Sequence, residues 1–215
     1  MSLTLILVIM TSIISYQAFN SPATMGKLIF YPYAIKERGS SEWYRFLSGG
    51  FIHGDWGHLI INMIVLYQFG NFLEDGFIQV FGAGLGQILF ILLYITAIII
   101  SDIPSYFQHQ NNPGYRALGA SGATSALVFG YILFNPWAWF AFPPLPALLY
   151  GVAFLWYSSY MEKRGADNIG HNAHFWGAVY GVLFTLISAF AFQPALLQYF
   201  WFKLLQGPTS PSFIG

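Results

Sequence analysis

Two strings place side chains capable of chemistry inside apolar surroundings: Gly119-Ala120-Ser121-Gly122 and Ala173-His174-Phe175-Trp176-Gly177. A serine hydroxyl is a poor nucleophile until a nearby base accepts its proton, and a neutral imidazole is the commonest such base. Further polar residues fall within or at the mouths of apolar runs: His53, His58, Asn62, Thr124, Ser125, His171 and Asn172. In lipid an unsatisfied polar group costs several kcal/mol, so each is a functional candidate. His58 and Asn62 are spaced i, i+4, and His171 and His174 i, i+3, so each pair shares one helix face. Two facing helices would then each present a polar stripe near the same membrane surface. Hydrogen bonding across a bundle, as structural glue, is the other use of such stripes.

The elements that must position these groups are helices that cross a membrane. Charged residues make up 7% of the 215, hydrophobic residues 56% and aromatic residues 20%. A soluble domain carries roughly 25% charged residues, so water is not the main solvent. The formal net charge is zero, which leaves no basic face for nucleic acid. The chain lacks cysteine, which excludes disulfides, thiolate metal sites and a cysteine nucleophile.

A hydrocarbon core of about 30 Å needs roughly 20 helical residues, and six apolar segments of about that size can be counted. They run approximately Ser2 to Phe19, Trp56 to Leu73, Phe77 to Ile100, Gly119 to Phe134, Pro144 to Tyr160, and His171 to Phe192. The expected breakers are Asn20-Ser21-Pro22, Asp75-Gly76, the polar run Ser101 to Arg116, Asn135-Pro136 with Pro143-Pro144-Pro146, and Glu162 to Asn168. The apolar start, Met1 to Ile14, lacks a basic flank and is read as a retained span. The fold class expected is all-α, a polytopic bundle of six transmembrane helices, with residues 1–200 as one domain and 201–215 as a short tail. The aromatic stretch Ser21 to Asp55, with Trp43 and Arg45, suits the membrane interface.

The fourth span offers only about 14 residues from Ser121 before Asn135-Pro136 stops it. At about 1.5 Å per residue such a helix begins on the order of 9 Å below the bilayer surface, or less deep if the aromatic run after Pro136 lengthens the span. A helix start at that depth is tolerable only beside a protein-enclosed, watery cavity. Gly122, Ala126 and Gly130 recur every fourth residue there, and Gly177, Ala178 and Gly181 lie below His174. Small residues at such spacing let two backbones approach closely, bringing a serine within reach of a histidine on the partner helix.

Taken together, the two strings, Gly181, His58-x-x-x-Asn62 and Glu42-Trp43-Tyr44-Arg45 resemble the rhomboid family of intramembrane serine proteases, in order along nearly the whole chain. The resemblance implies Ser121 as nucleophile and His174 as general base. It implies His58 and Asn62 as helpers in holding the oxyanion. Trp43 and Arg45 then belong to an architectural loop between the first two spans. The implied partners are the lipid bilayer and transmembrane protein substrates, cut where their helices unwind. The implied location is an integral, multi-pass protein of a bacterial cytoplasmic (inner) membrane. Family members often place an aromatic residue four positions after the nucleophile, stacked on the histidine; Ser125 stands there instead.

Chemistry extends these roles. Backbone N–H groups at the start of the fourth helix, Ser121 included, are further oxyanion donors, and Gly119 and Gly122 permit the tight turn that exposes them. Asp55, Asp102, Glu162 and Asp167 are read as loop residues, so a Ser121–His174 dyad is expected without a third carboxylate. The four histidines near the spans raise a metal or haem reading, but no H-E-x-x-H occurs and no carboxylate stands at ligand spacing; no metal or cofactor is expected. Two other rivals are a catalytically inactive rhomboid-like factor that binds membrane proteins for quality control, and a transporter or channel, which the absence of charge within the spans disfavours. The resemblance puts both termini in the cytoplasm, yet every basic residue except Lys203 falls in the three loops this leaves outside, against the positive-inside trend.

Overall fold

Ser2 begins the first helix by accepting the Leu5 N–H on its hydroxyl, and α1 runs Leu3–Phe19. The second cap comes from far along the chain. Glu74 accepts the N–H of Leu3 on one carboxylate oxygen, and the N–H and hydroxyl of Thr4 on the other. A buried carboxylate at a helix N-terminus satisfies orphan donors and complements the helix dipole. Glu74→Ala should therefore lower stability by about 2–4 kcal/mol, with Glu74→Gln intermediate, as read by unfolding in detergent micelles.

In the computed structural model, which describes residues 1–140, 144–164 and 170–208, nearly all regular structure is helical. Short helices α2 (Pro22–Leu28), α3 (Pro32–Arg38) and α4 (Arg45–Ser48) fill the aromatic stretch, followed by α5 (Trp56–Phe81) and α6 (Ala83–His109). Then come α7 (Ser121–Phe134), the strands β1 (Trp139–Phe140) and β2 (Leu145–Pro146), and helices α8 (Ala147–Arg164), α9 (His171–Phe192) and α10 (Ala195–Leu205). The strands pair antiparallel, Trp139 opposite Pro146.

Several boundaries differ from the expected ones. The break at Asp75-Gly76 is absent, because Glu74 must lie within α5 to reach the start of α1. The turn falls instead at Gly82, whose φ of 82° suits glycine, and Gly86 then sits so tightly that a Cβ would meet the Phe77 carbonyl at 2.5 Å. The polar run from Ser101 does not stop α6, which continues through Pro104 to His109. Asp102 is therefore a helical residue and not a loop one. The expected tail, from residue 201, begins inside α10, whose Leu196 and Phe200 are buried beside Ala189 of α9. The breakers at Pro143 and at residues 165–168 lie outside the described residues.

Among the described residues two helices, α6 and α9, are long and apolar enough to cross a membrane, while α1 and α7 are apolar but shorter. Large apolar side chains also face outward: Ile60, Ile64, Trp156, Leu183, Ile187 and Phe190 are all exposed. Such a surface suits lipid and not water. The centre is α7, with ten of its 14 residues buried. Glycines press α9 against it: a Cβ on Gly177 would lie 2.1 Å from the Gly122 carbonyl oxygen, and one on Gly181 2.2 Å from that of Ala126. The small-residue spacing thus becomes direct backbone contact.

Candidate active site

The segment before α7 is zipped to the first loop. Phe30 and Ala117 exchange both backbone hydrogen bonds at 3.1 Å, and the Gly119 N–H donates to the Gly49 carbonyl at 2.9 Å. That loop has its own clasp: Arg45, buried, donates to the carbonyls of Gly26 and Ile29 and to the Glu42 carboxylate. The Arg45 hydrogen bond holds the Glu42 carboxyl below the usual carboxylate range. Trp43, beside it, is 64% exposed and points outward.

A buried histidine completes the setting. The Ala120 N–H donates to Nε2 of His53 at 3.3 Å, so the proton belongs on Nδ1, which faces the Ser15 hydroxyl at 3.0 Å. Ser15 in turn donates to the Phe51 carbonyl. Burial, helped by the adjacent His58 ring, pushes the His53 pKa down to about 3, which keeps this ring neutral. His53 thereby ties α1 to the residue before Ser121. Sequence marks it only as one polar residue at a costly depth; its partners lie 38 and 67 positions away.

At Gly119 the chain adopts φ +117°, and a Cβ would collide with the His58 ring at 2.7 Å. Glycine is required there both for the backbone and for the ring. The Asn62 amide donates to the His58 carbonyl at 2.9 Å. The Thr124 hydroxyl reaches Asn62 Oδ1 at 3.3 Å and the Ser121 carbonyl at 3.1 Å, joining α5 to the first turn of α7. Gly122 is enclosed as well, since a Cβ would meet the Ser101 hydroxyl at 2.2 Å.

Ser121, His174, His58, Asn62 and Gly119 line one cavity of about 1250 Å³. Pockets for small molecules span about 300–1,000 Å³, so this one has room for a stretch of peptide. Ala120 ends the loop without a side-chain cap on α7, and among the described residues the N–H of Ser121 has no acceptor. Ser121 and His174 both line the cavity, and among the described residues no hydrogen bond joins them. The His174 ring instead lies against Phe154 of α8, centroids 5.9 Å apart and planes 24° apart. His171, buried, is edge-on to His174 on one side and to Tyr157 on the other. Asn172 donates to Ser105 and Gln108 of α6. Asp102 also lines the cavity, so a carboxylate does share the space with Ser121 and His174, contrary to expectation. Among the described residues no group of histidines and carboxylates could hold a metal ion.

Comparison with known proteins gives the same direction. The chain is 27% identical over 175 residues to "RHOMBOID-like protein 12, mitochondrial" of Arabidopsis thaliana, covering 77% of this chain and 51% of that protein. It is 27% identical over 164 residues to "Rhomboid-like protease 5" of Toxoplasma gondii, covering 74% of this chain and 18% of that one. The chain thus spans about half or less of the length of these relatives. Neither points to a bacterial membrane, so the compartment implied by the resemblance lacks their support. The Rhomboid domain matches residues 40–190, from Ser40 in the first loop through most of α9, and every candidate site residue lies within it. The chain belongs to the rhomboid family.

Proposed function

We propose that this membrane protein is an intramembrane serine protease that hydrolyses peptide bonds in or near transmembrane segments of other proteins. It crosses the bilayer with α1, α5, α6, α7, α8 and α9. The observation that carries this reading is the shared cavity: a serine at the uncapped start of a buried helix, a histidine on a glycine-apposed neighbour, and a histidine–asparagine pair opposite. Ser121 Oγ attacks the scissile carbonyl while its proton passes to the His174 ring, and the ring returns it to the leaving amine. Water then hydrolyses the acyl-enzyme by the same route. Resting-state hydrogen bonds of this kind tighten when substrate binds, so their absence beforehand does not oppose the mechanism.

The developing oxyanion is met by the Ser121 N–H and the dipole of α7, with His58 and Asn62 as side-chain donors. Asn62→Ala should lower kcat about 100-fold with little change in KM, because it removes a donor that acts on the transition state. A fall in affinity alone would move Asn62 out of this role. The test of the whole reading is labelling by a serine-directed fluorophosphonate, with the adduct located by mass spectrometry. Label on Ser121 supports the protease. Intact protein that stays unlabelled, and leaves a transmembrane substrate uncut, points instead to an inactive binding factor.

A further inference from the structure

From the ring contacts around the base, we infer that Phe154 of α8 is the positioning residue that sets the plane of the His174 imidazole. The inference rests on the proteolytic reading of the cavity. A histidine on the first turn of α9 has two side-chain torsions to fix, and on its own helix the His171 ring meets it near perpendicular. Ser125, buried one turn beyond Ser121 and lining the same cavity, brings no ring. Phe154 supplies a face, with its plane 24° from that of the imidazole. Offset stacking of this kind is the geometry that aromatic rings prefer.

Phe154 is itself held. Its other neighbour is Phe129 of α7, at 6.1 Å between centroids, while one turn along α8 Tyr157 stands edge-on to His171 at 5.7 Å. Phe154 and Tyr157, spaced i, i+3, therefore meet His174 and His171, also spaced i, i+3, ring against ring. The ionisable groups of this cluster are His171 and Tyr157, with Asp55, His58, Asp102, Tyr115, Arg116 and Tyr150 on the cavity wall. Phe154 touches no reacting atom; it acts through the ring that does.

Misplacing a catalytic group by about 1 Å costs on the order of 100-fold, so Phe154→Ala should slow kcat and Ser121 labelling about 10- to 100-fold, leaving KM unchanged. The pH limb governed by the histidine should move with it. Phe154→Tyr should restore most of the loss, whereas Phe154→Leu, which keeps bulk without ring faces, should not. In histidine-labelled protein in micelles, the His174 ring protons should lose their upfield ring-current shift in both the Ala and Leu variants. A variant with unchanged kcat and unchanged His174 resonances overturns the inference. So does a slower variant whose pH limb and resonances match the parent, since Phe154 then only shapes the cavity. Should the parent protein neither label nor cleave, the proteolytic reading fails by itself, and the resonance comparison still decides whether Phe154 sets the ring.

Discussion

Ser121→Ala is expected to lower cleavage of a transmembrane substrate by at least about 10⁴-fold, and His174→Ala to come within about tenfold of that loss. Nucleophile and base act as one unit, so the double variant should be no worse than either alone. Among the described residues the hydroxyl makes no hydrogen bond. Its removal should therefore shift the melting temperature by no more than about 2 °C, which separates lost chemistry from lost fold. Single-turnover cleavage in micelles, read on gels beside a thermal melt, checks both halves. Substantial cleavage by Ser121→Ala would remove the assignment of nucleophile altogether.

Replacing Gly177 or Gly181 by valine should cost more than about 3 kcal/mol of stability and take activity with it. At each site the first added carbon would already lie 2.1 or 2.2 Å from a carbonyl oxygen of α7, and backbone in a packed helix cannot step aside. The two helices must separate, and Ser121 and His174 separate with them. Gly76, inside α5 with open space around it, is the control. Gly76→Ala should leave the protein equal or up to about 1 kcal/mol more stable, since alanine is the better helix former. Denaturant titration in micelles measures all three variants. Equal behaviour of Gly76→Ala and Gly181→Val would contradict the close α7–α9 contact.

Much of the candidate site was legible in sequence because its signals are local. The spacing of Gly122, Ala126 and Gly130, with Gly177 and Gly181, encodes a helix contact by shape alone, and the structure brings those residues into contact. The i, i+4 spacing of His58 and Asn62 puts them on one face by helical geometry, and both reach the cavity. The short fourth helix was legible as well, between the glycine at 119 and Asn135.

What could not be read depends on partners distant in sequence. Asp75-Gly76 carries an ordinary turn signal, but the neighbouring Glu74 is committed to a helix start some 70 residues earlier, and that pairing keeps the helix intact. Asp102 reads as loop because polar residues follow it, yet α6 runs on and places this residue on the cavity wall. His53 could not be assigned, since its meaning lies in the Ser15 hydroxyl and the Ala120 N–H.

Composition and periodicity alone determined that the chain is helical and suited to lipid, and the choice of Ser121 and His174 among its polar residues came from resemblance to the rhomboid family. Those properties follow from side-chain chemistry and short-range geometry, which any stretch of sequence carries with it. Only the tertiary structure decided where helices end, which carboxylate caps α1, and that a phenylalanine of α8 lies against His174. These depend on which surfaces meet after the chain collapses, and the free energy of such meetings belongs to pairs of distant residues, not to either residue alone.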